Sequence, residues 1–274
     1  MALTFRSVAS GPGWSVSDIV CTAGPHDRPF EEQHDAVCIA AVTRGTFQYR
    51  STSGAAVLAP GALLLGNKGA CFECGHEHGT GDRCLSFHVA PDIFERVVAA
   101  VPGTRRTTFA APSLPPLPAL MPLLAVVEAA CDDGDQAELE ELTLRLCGAV
   151  AAALVGISRS SRGPSRRDER RISEALRRIE VEAEGHLTLV GLAREAAMSP
   201  YHFLRTFCQV VGMTPHQFVL HTRLHRAAVR SRRTDETISA IAFEAGFNDL
   251  STFNRRFRRV MGVSPSVYRT SGRR

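Results

Sequence analysis

The sequence predicts an α+β protein with a β-rich N-terminal half and an all-helical C-terminal half. Up to about residue 90, apolar and β-branched residues alternate with polar ones or form short runs between Gly and Pro turns, which is typical of strands. Beyond about residue 168 the apolar residues recur every three or four positions, which is typical of amphipathic helices. A chain of 274 residues has room for two such domains.

Charge divides the chain at the same place. Residues 1–165 contain 12 basic and 17 acidic side chains, a balance of −5, whereas residues 166–274 contain 20 arginines and 11 acidic side chains, a balance of +9. A local surplus of positive charge indicates that the second half binds a polyanion. The preference for arginine over lysine is weaker evidence, since the whole chain has a single lysine and a GC-rich genome would have the same effect.

The N-terminal domain is predicted over residues 1–157. Strands are expected over 37–43, 45–51 and 84–89, with a turn at Pro60-Gly61, and short strands at this spacing predict a β-barrel or a sandwich. Helices over about 119–131 and 135–157 complete the domain. The second helix has an apolar stripe that either packs on its own domain or pairs with a second protomer to form a homodimer. The stripe consists of Leu139, Leu142, Leu146, Ala149 and Ala153.

A linker is predicted over residues 158–167, SRSSRGPSRR, because this segment has no apolar side chain beyond a proline ring. The chain has no run of about 18 apolar residues and does not begin with a basic stretch followed by an apolar one. We therefore expect a cytoplasmic protein without a membrane partner, whose cysteines stay reduced.

The third segment, 168–274, carries helix-turn-helix patterns. Thr188 is a capping residue for a helix over 189–196, and Ser199 caps a second helix over 201–211 after a tight turn. Two short helices joined in this way form a helix-turn-helix, whose second helix enters the major groove of DNA.

The pattern then repeats after about fifty residues. A helix over about 215–231 leads to a helix over 238–245 and another over 250–261, capped by Asn248 or Asp249. The connecting helix is ~25 Å long at 1.5 Å per residue, so it holds the two recognition helices about one DNA turn, ~34 Å, apart. The matched positions are Leu192-Ala193-x-x-Ala196 with Ile241-Ala242-x-x-Ala245, Phe203 and Phe207 with Phe253 and Phe257, and Gly212-Met-Thr-Pro215 with Gly262-Val-Ser-Pro265.

The second unit resembles the AraC/XylS family of regulators. Residues 241–269 read IAFEAGFNDLSTFNRRFRRVMGVSPSVYR and follow the family pattern IAxxxGFxxxSxFxRxFKxxxGxSPxxYR, with Arg258 in place of its Lys. The resemblance implies a sequence-specific transcription regulator, an activator rather than an enzyme, with double-stranded DNA and RNA polymerase as partners. It also implies a cupin-like N-terminal barrel that senses a small-molecule or metal effector.

The resemblance and the helical spacing together give candidate DNA contacts. Arg205 and Arg255 are expected to bind guanine edges in bidentate fashion, with a phosphate contact as the alternative for each. Arg256 and Arg259 are expected to meet phosphate or solvent, and the basic residues and histidines of the connecting helix are expected to form a solvated face. The full candidate set is Pro200, Tyr201, Leu204 and Arg205 in the first unit, and Leu250, Ser251, Thr252, Asn254, Arg255 and Arg258 in the second.

The segment Cys71–His88 contains three Cys and three His in eighteen residues. Cys74, His76 and His78 alternate, so on a strand they share one face, and such ligands suit Zn, Cu or Ni. We expect a hairpin that turns at residues 79–82, either with a metal or with Cys and His side chains that only pack and hydrogen-bond. The metal interpretation gives a second functional hypothesis, a cupin-type metalloenzyme fused to a DNA-binding module. A non-specific nucleoid protein is a third.

Overall fold

The computed structural model describes residues 3–76, 81–104, 106–133, 136–155 and 164–271. Within these ranges the N-terminal part is β-rich and the C-terminal part is all-helical, as the sequence predicts. The strands are β1 (Leu3–Gly11), β2 (Trp14–Cys21), β3 (Phe30–Gln33), β4 (Val37–Gly45), β5 (Phe47–Ser51), β6 (Gly54–Leu58), β7 (Leu63–Gly66), β8 (Cys71–Gly75), β9 (Asp82–Val89) and β10 (Ser113–Leu114).

The strands form two antiparallel sheets. One has the order β1-β2-β9-β4-β7-β10 and the other has the order β3-β8-β5-β6. The alternation along β4 shows how the sheets are buried: Ile39 packs towards the helices, whereas Cys38 and Ala40 pack into the interior between the sheets. Because the larger sheet is covered on both faces, β4 is an almost continuous apolar run.

The expected hairpin over the Cys71–His88 segment is wrong. β8 pairs with β3 and β5, whereas β9 pairs with β2 and β4 in the other sheet. Period-two alternation fixes which side chains share a face, but it does not select the partner strand. Cys74 on β8 and Cys84 on β9 consequently face each other across the interior of the domain.

Three helices cover the outer face of the larger sheet: α1 (Pro91–Ala99), α2 (Met121–Asp133) and α3 (Gln136–Val155). Leu139, Leu142, Leu146 and Val150 of α3 are buried in the same core as Phe87 of β9. The stripe therefore packs on its own domain, which is one of the two arrangements that the sequence allows.

The C-terminal helices begin two residues earlier than expected, because Ser165 caps α4 by accepting a hydrogen bond from the backbone N–H of Asp168. Both recognition helices end at a left-handed glycine, Gly212 and Gly262. The helices are α4 (Arg166–Glu182), α5 (Leu189–Glu195), α6 (Pro200–Val211), α7 (Pro215–Arg233), α8 (Ile238–Glu244), α9 (Leu250–Met261) and α10 (Pro265–Ser271). No helix in the described ranges is long and apolar enough to cross a membrane.

The connecting helix α7 does not present a solvated face, so that expectation is wrong. Met121 and Ala125 of α2 share a buried cluster with Leu224 of α7. Nε2 of His225 lies 2.7 Å from a carboxylate oxygen of Glu128 in α2. Because α7 packs on the N-terminal domain, the helix that joins the two helix-turn-helix units also forms part of the contact between the domains.

Candidate nucleic-acid interface

The second recognition helix, α9, is fixed by its cap and by its buried stripe. The Asp249 carboxylate accepts hydrogen bonds from the backbone N–H groups of Ser251 and Thr252 at 2.8 and 3.2 Å. A hydrogen bond with the side chain of Thr252, together with these backbone bonds, lowers the pKa of Asp249, so the negative charge that favours a helix N-terminus is retained. Phe253 and Phe257 are fully buried and leave the opposite side of α9 facing solvent.

The exposed side of α9 contains most of the predicted contacts. At 100° per residue, Arg255 and Arg259 lie on the side of α9 opposite the buried phenylalanines. Ser251 lies beside these two arginines, and Asn254 lies nearer the buried stripe. Leu250, Ser251, Asn254, Arg255, Arg258 and Arg259 are all exposed, whereas Thr252 and Arg256 are half-buried. Arg259, which is expected to meet phosphate or solvent, thus lies on the same exposed surface as Arg255.

The arginines of the C-terminal domain differ in whether they have acidic partners. Arg170 and Arg178 in α4 pair with Glu174 and Glu182, and Arg230 in α7 pairs with Glu236. By contrast, no ion pair is found within the described ranges for Arg255, Arg258 and Arg259. These three arginines therefore offer a patch of positive charge on α9 to an external anion.

The first recognition helix, α6, has the same construction. Ser199 caps it, Phe203 and Phe207 are buried, and Leu204 is half-buried. Leu204 lines a cleft of about 850 Å³ between the two helix-turn-helix units. The side chains of Pro200, Tyr201 and Arg205 lie outside the described part of the structure, so their predicted contacts stay predictions.

Arg223 of α7 joins the two units. Its guanidinium donates hydrogen bonds to the backbone carbonyl oxygens of Ala183 and Gly185, beyond α4, and of Gly246, between α8 and α9, at 2.5, 2.7 and 2.7 Å. One planar group with five donors in a fixed arrangement can serve three acceptors at once. This bridge fixes the distance between the two units, and sequence spacing gave no indication of it.

A cavity of about 260 Å³ lies between the two sheets of the N-terminal domain. Its apolar lining includes Ile19, Leu64 and Phe72, and its polar lining includes His34 and His88. Burial lowers the pKa of His34 to about 4 and also lowers that of His88, so both imidazoles are neutral at pH 7. The cavity therefore offers hydrogen bonds and apolar contact without a fixed positive charge from these rings.

The predicted metal ligands are only partly brought together. His76 lies with Cys21 and Asp82, whose donor atoms all lie within 4.8 Å of one another. Cys74 is buried in the interior but is not one of these three donors, and His78 lies outside the described residues. Cys21 was missed because it is 55 residues from His76 and ends a strand whose alternation resembles that of any half-buried strand.

Comparison with known proteins agrees with this two-part architecture. Residues 20–147 match the family model described as an AraC-like ligand binding domain, and residues 192–271 match a helix-turn-helix domain model. The Tn10 TetD protein of Escherichia coli is 36% identical over 98 residues, which are 36% of this chain and 71% of TetD. The chain belongs to the AraC/XylS family of transcription regulators. Its residues 20–147 are the family's ligand-binding domain, and residues 192–271, which include most of α5 and all of α6 to α10, are its helix-turn-helix region.

Other transcription regulators match over a part of the chain. The transcriptional activator AarP of Providencia stuartii is 32% identical over 100 residues, which are 36% of this chain and 74% of AarP. The regulator Rv1931c of Mycobacterium tuberculosis is 42% identical over 78 residues, 28% of this chain and 30% of Rv1931c. The chain thus spans about a third of the length of Rv1931c. Among solved structures, the DNA-binding domain of AdpA in complex with a target DNA is 26% identical with a TM-score of 0.36, covering 37% of this chain and 92% of that domain.

Proposed function

We propose that this AraC/XylS family protein is a sequence-specific transcription activator that binds two successive major grooves of double-stranded DNA. The observation that carries the proposal is the exposed side of α9, where Arg255, Arg258 and Arg259 lie without a salt bridge in the described ranges. An arginine on a recognition helix forms bidentate hydrogen bonds with guanine, and neighbouring arginines bind phosphates that fix the register. The paired unit with α6 supports a second contact one helical turn away.

The proposed effector site is the cavity between the two sheets. Its volume of about 260 Å³ is slightly below the range typical of pockets for drug-sized molecules, so the proposed effector is small. The apolar lining and the neutral His34 and His88, with the acidic side chains of Glu32, Asp35 and Asp82 on the same lining, favour a molecule without negative charge that has one or two hydrogen-bonding groups. Such an effector would act by binding one arrangement of the two domains more tightly than another.

The contact between the domains supplies a route for this regulation. The backbone N–H of Gly45, at the end of β4, donates to both carboxylate oxygens of Glu180 in α4 at 2.9 and 3.0 Å. Glu128 of α2 contacts His225 of α7 on the same side of the molecule. A change in strand position inside the ligand-binding domain would therefore alter how the helix that joins the two units is held. Contact with RNA polymerase and formation of a homodimer are also proposed, on the basis of family membership.

Selection of binding sites from a random DNA pool, followed by competition binding of the full chain, tests the proposal. The selected sequence should bind at least ~10³-fold more tightly than random duplex. The Arg255→Ala/Arg259→Ala double variant should lose this binding, whereas Arg170→Ala, which removes an exposed side chain paired with Glu174 on α4, should retain it. Equal affinity for unrelated duplexes would instead indicate a non-specific nucleoid protein.

A further inference from the structure

We propose that Cys21, His76 and Asp82 form a binding site for a single Zn²⁺ ion at the junction of the ligand-binding domain and the DNA-binding domain. One donor atom of each residue, a thiol sulfur, an imidazole nitrogen and a carboxylate oxygen, lies within 4.8 Å of the others. Nε2 of His76 lies 2.5 Å from Oδ1 of Asp82. The three residues come from different parts of the chain, the end of β2, the residue after β8 and the start of β9.

The distances allow a metal to enter with small movements. Zn²⁺ binds sulfur at ~2.3 Å and nitrogen or oxygen at ~2.0–2.2 Å, which places ligand atoms around a tetrahedral ion about 3.3–3.6 Å apart. The His76–Asp82 contact would therefore widen by less than ~1 Å. Three protein ligands leave the fourth tetrahedral position for water.

The surroundings hold the donor groups in place. Cys84 donates from its thiol to Oδ2 of Asp82 at 3.4 Å, which leaves Oδ1 directed at His76. The backbone N–H of Ala23 donates to the sulfur of Cys21 at 3.4 Å, and such a bond favours a thiolate. Partners that orient the ligands in this way are a regular feature of metal sites.

The charge and the polarity of the site favour Zn²⁺ over other ions. Cys21, His76 and Asp82 are almost completely buried, at 3%, 4% and 9% exposure. A thiolate and a carboxylate neutralise a divalent cation, so the loaded site would carry no net charge into this buried position. The mixed sulfur, nitrogen and oxygen set excludes Mg²⁺ and Ca²⁺, which prefer oxygen alone, whereas thiolate, imidazole and carboxylate are all ordinary ligands of Zn²⁺.

The site is accessible to a metal ion, and it adjoins a contact between the two domains. Cys21 and Asp82 line the cavity between the sheets and also the cleft of about 1270 Å³ between this domain and α7. Asp82 is the direct cross-strand partner of Gly45, whose N–H is held by Glu180 of α4. A displacement of Asp82 by the ion would therefore act on a contact between the domains.

Metal loading of the full chain tests this proposal without any measurement of DNA binding, so its failure is separate from failure of the proposed function. Protein stripped with a chelator, reloaded with Zn²⁺ and dialysed should retain one equivalent by elemental analysis. With Co²⁺ as a spectroscopic substitute, the protein should show a near-ultraviolet thiolate-to-cobalt absorption band.

Variants identify the ligands. Cys21→Ser should abolish the cobalt–thiolate band and lower the Zn²⁺ affinity by more than ~100-fold, since loss of an orienting partner alone costs 10–100-fold. Cys71→Ser, at the exposed cysteine of β8, is the matched control and should retain both. Asp82→Asn should lower the Zn²⁺ affinity while keeping the cobalt–thiolate band. If circular dichroism shows that Cys21→Ser is unfolded, Asp82→Asn replaces it as the test. The proposal is overturned if wild-type protein retains no Zn²⁺, or if folded Cys21→Ser retains one equivalent and the band.

Discussion

Arg255 is the single residue on which the proposed recognition of DNA depends most. It lies on the exposed side of α9, opposite the buried Phe253 and Phe257, within the first two turns after the N-cap Asp249. An arginine in the first turns of a recognition helix is close enough to a base edge to form two hydrogen bonds with guanine, whereas one placed further along meets the DNA backbone. Arg259 lies one turn beyond Arg255, so it is expected to contact the DNA backbone.

Arg255→Ala should weaken binding to the selected operator by roughly 1–3 kcal/mol and relax the preference at one base pair. Arg259→Ala should weaken binding by a similar factor on every duplex and should reduce the slope of affinity against salt concentration. Both effects are measurable by titration of labelled duplexes with single base changes at several salt concentrations. If Arg255→Ala loses as much affinity on random DNA as on the operator, Arg255 binds phosphate and the assignment to guanine is wrong.

The helix-turn-helix elements were predictable because their information is local. Capping residues, left-handed glycines and the Phe203–Phe207 and Phe253–Phe257 spacings all lie within one or two turns of the helix that they define. The sequence left the cap of α9 open between Asn248 and Asp249, and the structure shows Asp249. Long-range partners were not predictable in this way. Arg223 is separated by tens of residues from the three carbonyl groups that it binds, and β8 is separated similarly from the strands that flank it. No local sequence pattern encodes those pairings.

The turn between α5 and α6 shows where the two repeats differ. Ala197 has a φ of +48°, whereas the second unit has Gly246 at φ +82° in the equivalent turn. A left-handed conformation costs an L-residue roughly 1–2 kcal/mol, and glycine avoids this cost but loses about 0.5–1 kcal/mol of conformational entropy.

Ala197→Gly should therefore stabilise the protein by up to ~1 kcal/mol, measured as the free energy of unfolding in urea. The neighbouring Ala196→Gly is the control, because Ala196 is buried with an ordinary φ of −69°. That change should destabilise the protein. A loss of stability in both variants would show that the Ala197 turn is not strained.

Arg223→Lys should loosen the connection between the two helix-turn-helix units. A lysine ammonium cannot serve three carbonyl groups in the planar arrangement of a guanidinium. We expect the affinity for a complete operator to fall about tenfold, roughly 1.4 kcal/mol, while the affinity for a duplex with only one recognition segment stays unchanged. Arg194→Lys, at an exposed position on α5, is the matched control. An equal loss on both duplexes would contradict a role in spacing the units.

At the scale of the whole molecule, the two domains are joined by packing as well as by chain connectivity. The contact between Glu128 and His225 is part of this junction. Burial raises the pKa of Glu128, but the hydrogen bond from His225 and the charges of His225 and Arg233 outweigh burial and lower it. A carboxyl with a lowered folded pKa contributes stability above its ordinary pKa and loses that contribution as the pH falls through the lowered value.

Glu128→Gln should accordingly cost roughly 1–3 kcal/mol of unfolding free energy at pH 7, where the wild-type carboxylate is charged and bonded. The difference between wild type and variant should shrink as the pH falls below about 4.3, the ordinary pKa of Glu. Denaturant titrations of wild type and variant between pH 7 and pH values below about 4.3 measure the cost at pH 7 and its decrease at low pH. A difference that stays constant with pH would mean that the charge of Glu128 does not contribute to the junction.

We propose that one chain contacts two successive major grooves through α6 and α9. Hydroxyl-radical footprinting of the full chain on its selected operator measures these contacts. Two protected segments are expected, with centres about 10–10.5 base pairs apart, and Arg255→Ala should weaken the segment bound by α9. A single protected segment, or protection that does not depend on sequence, would contradict the proposal.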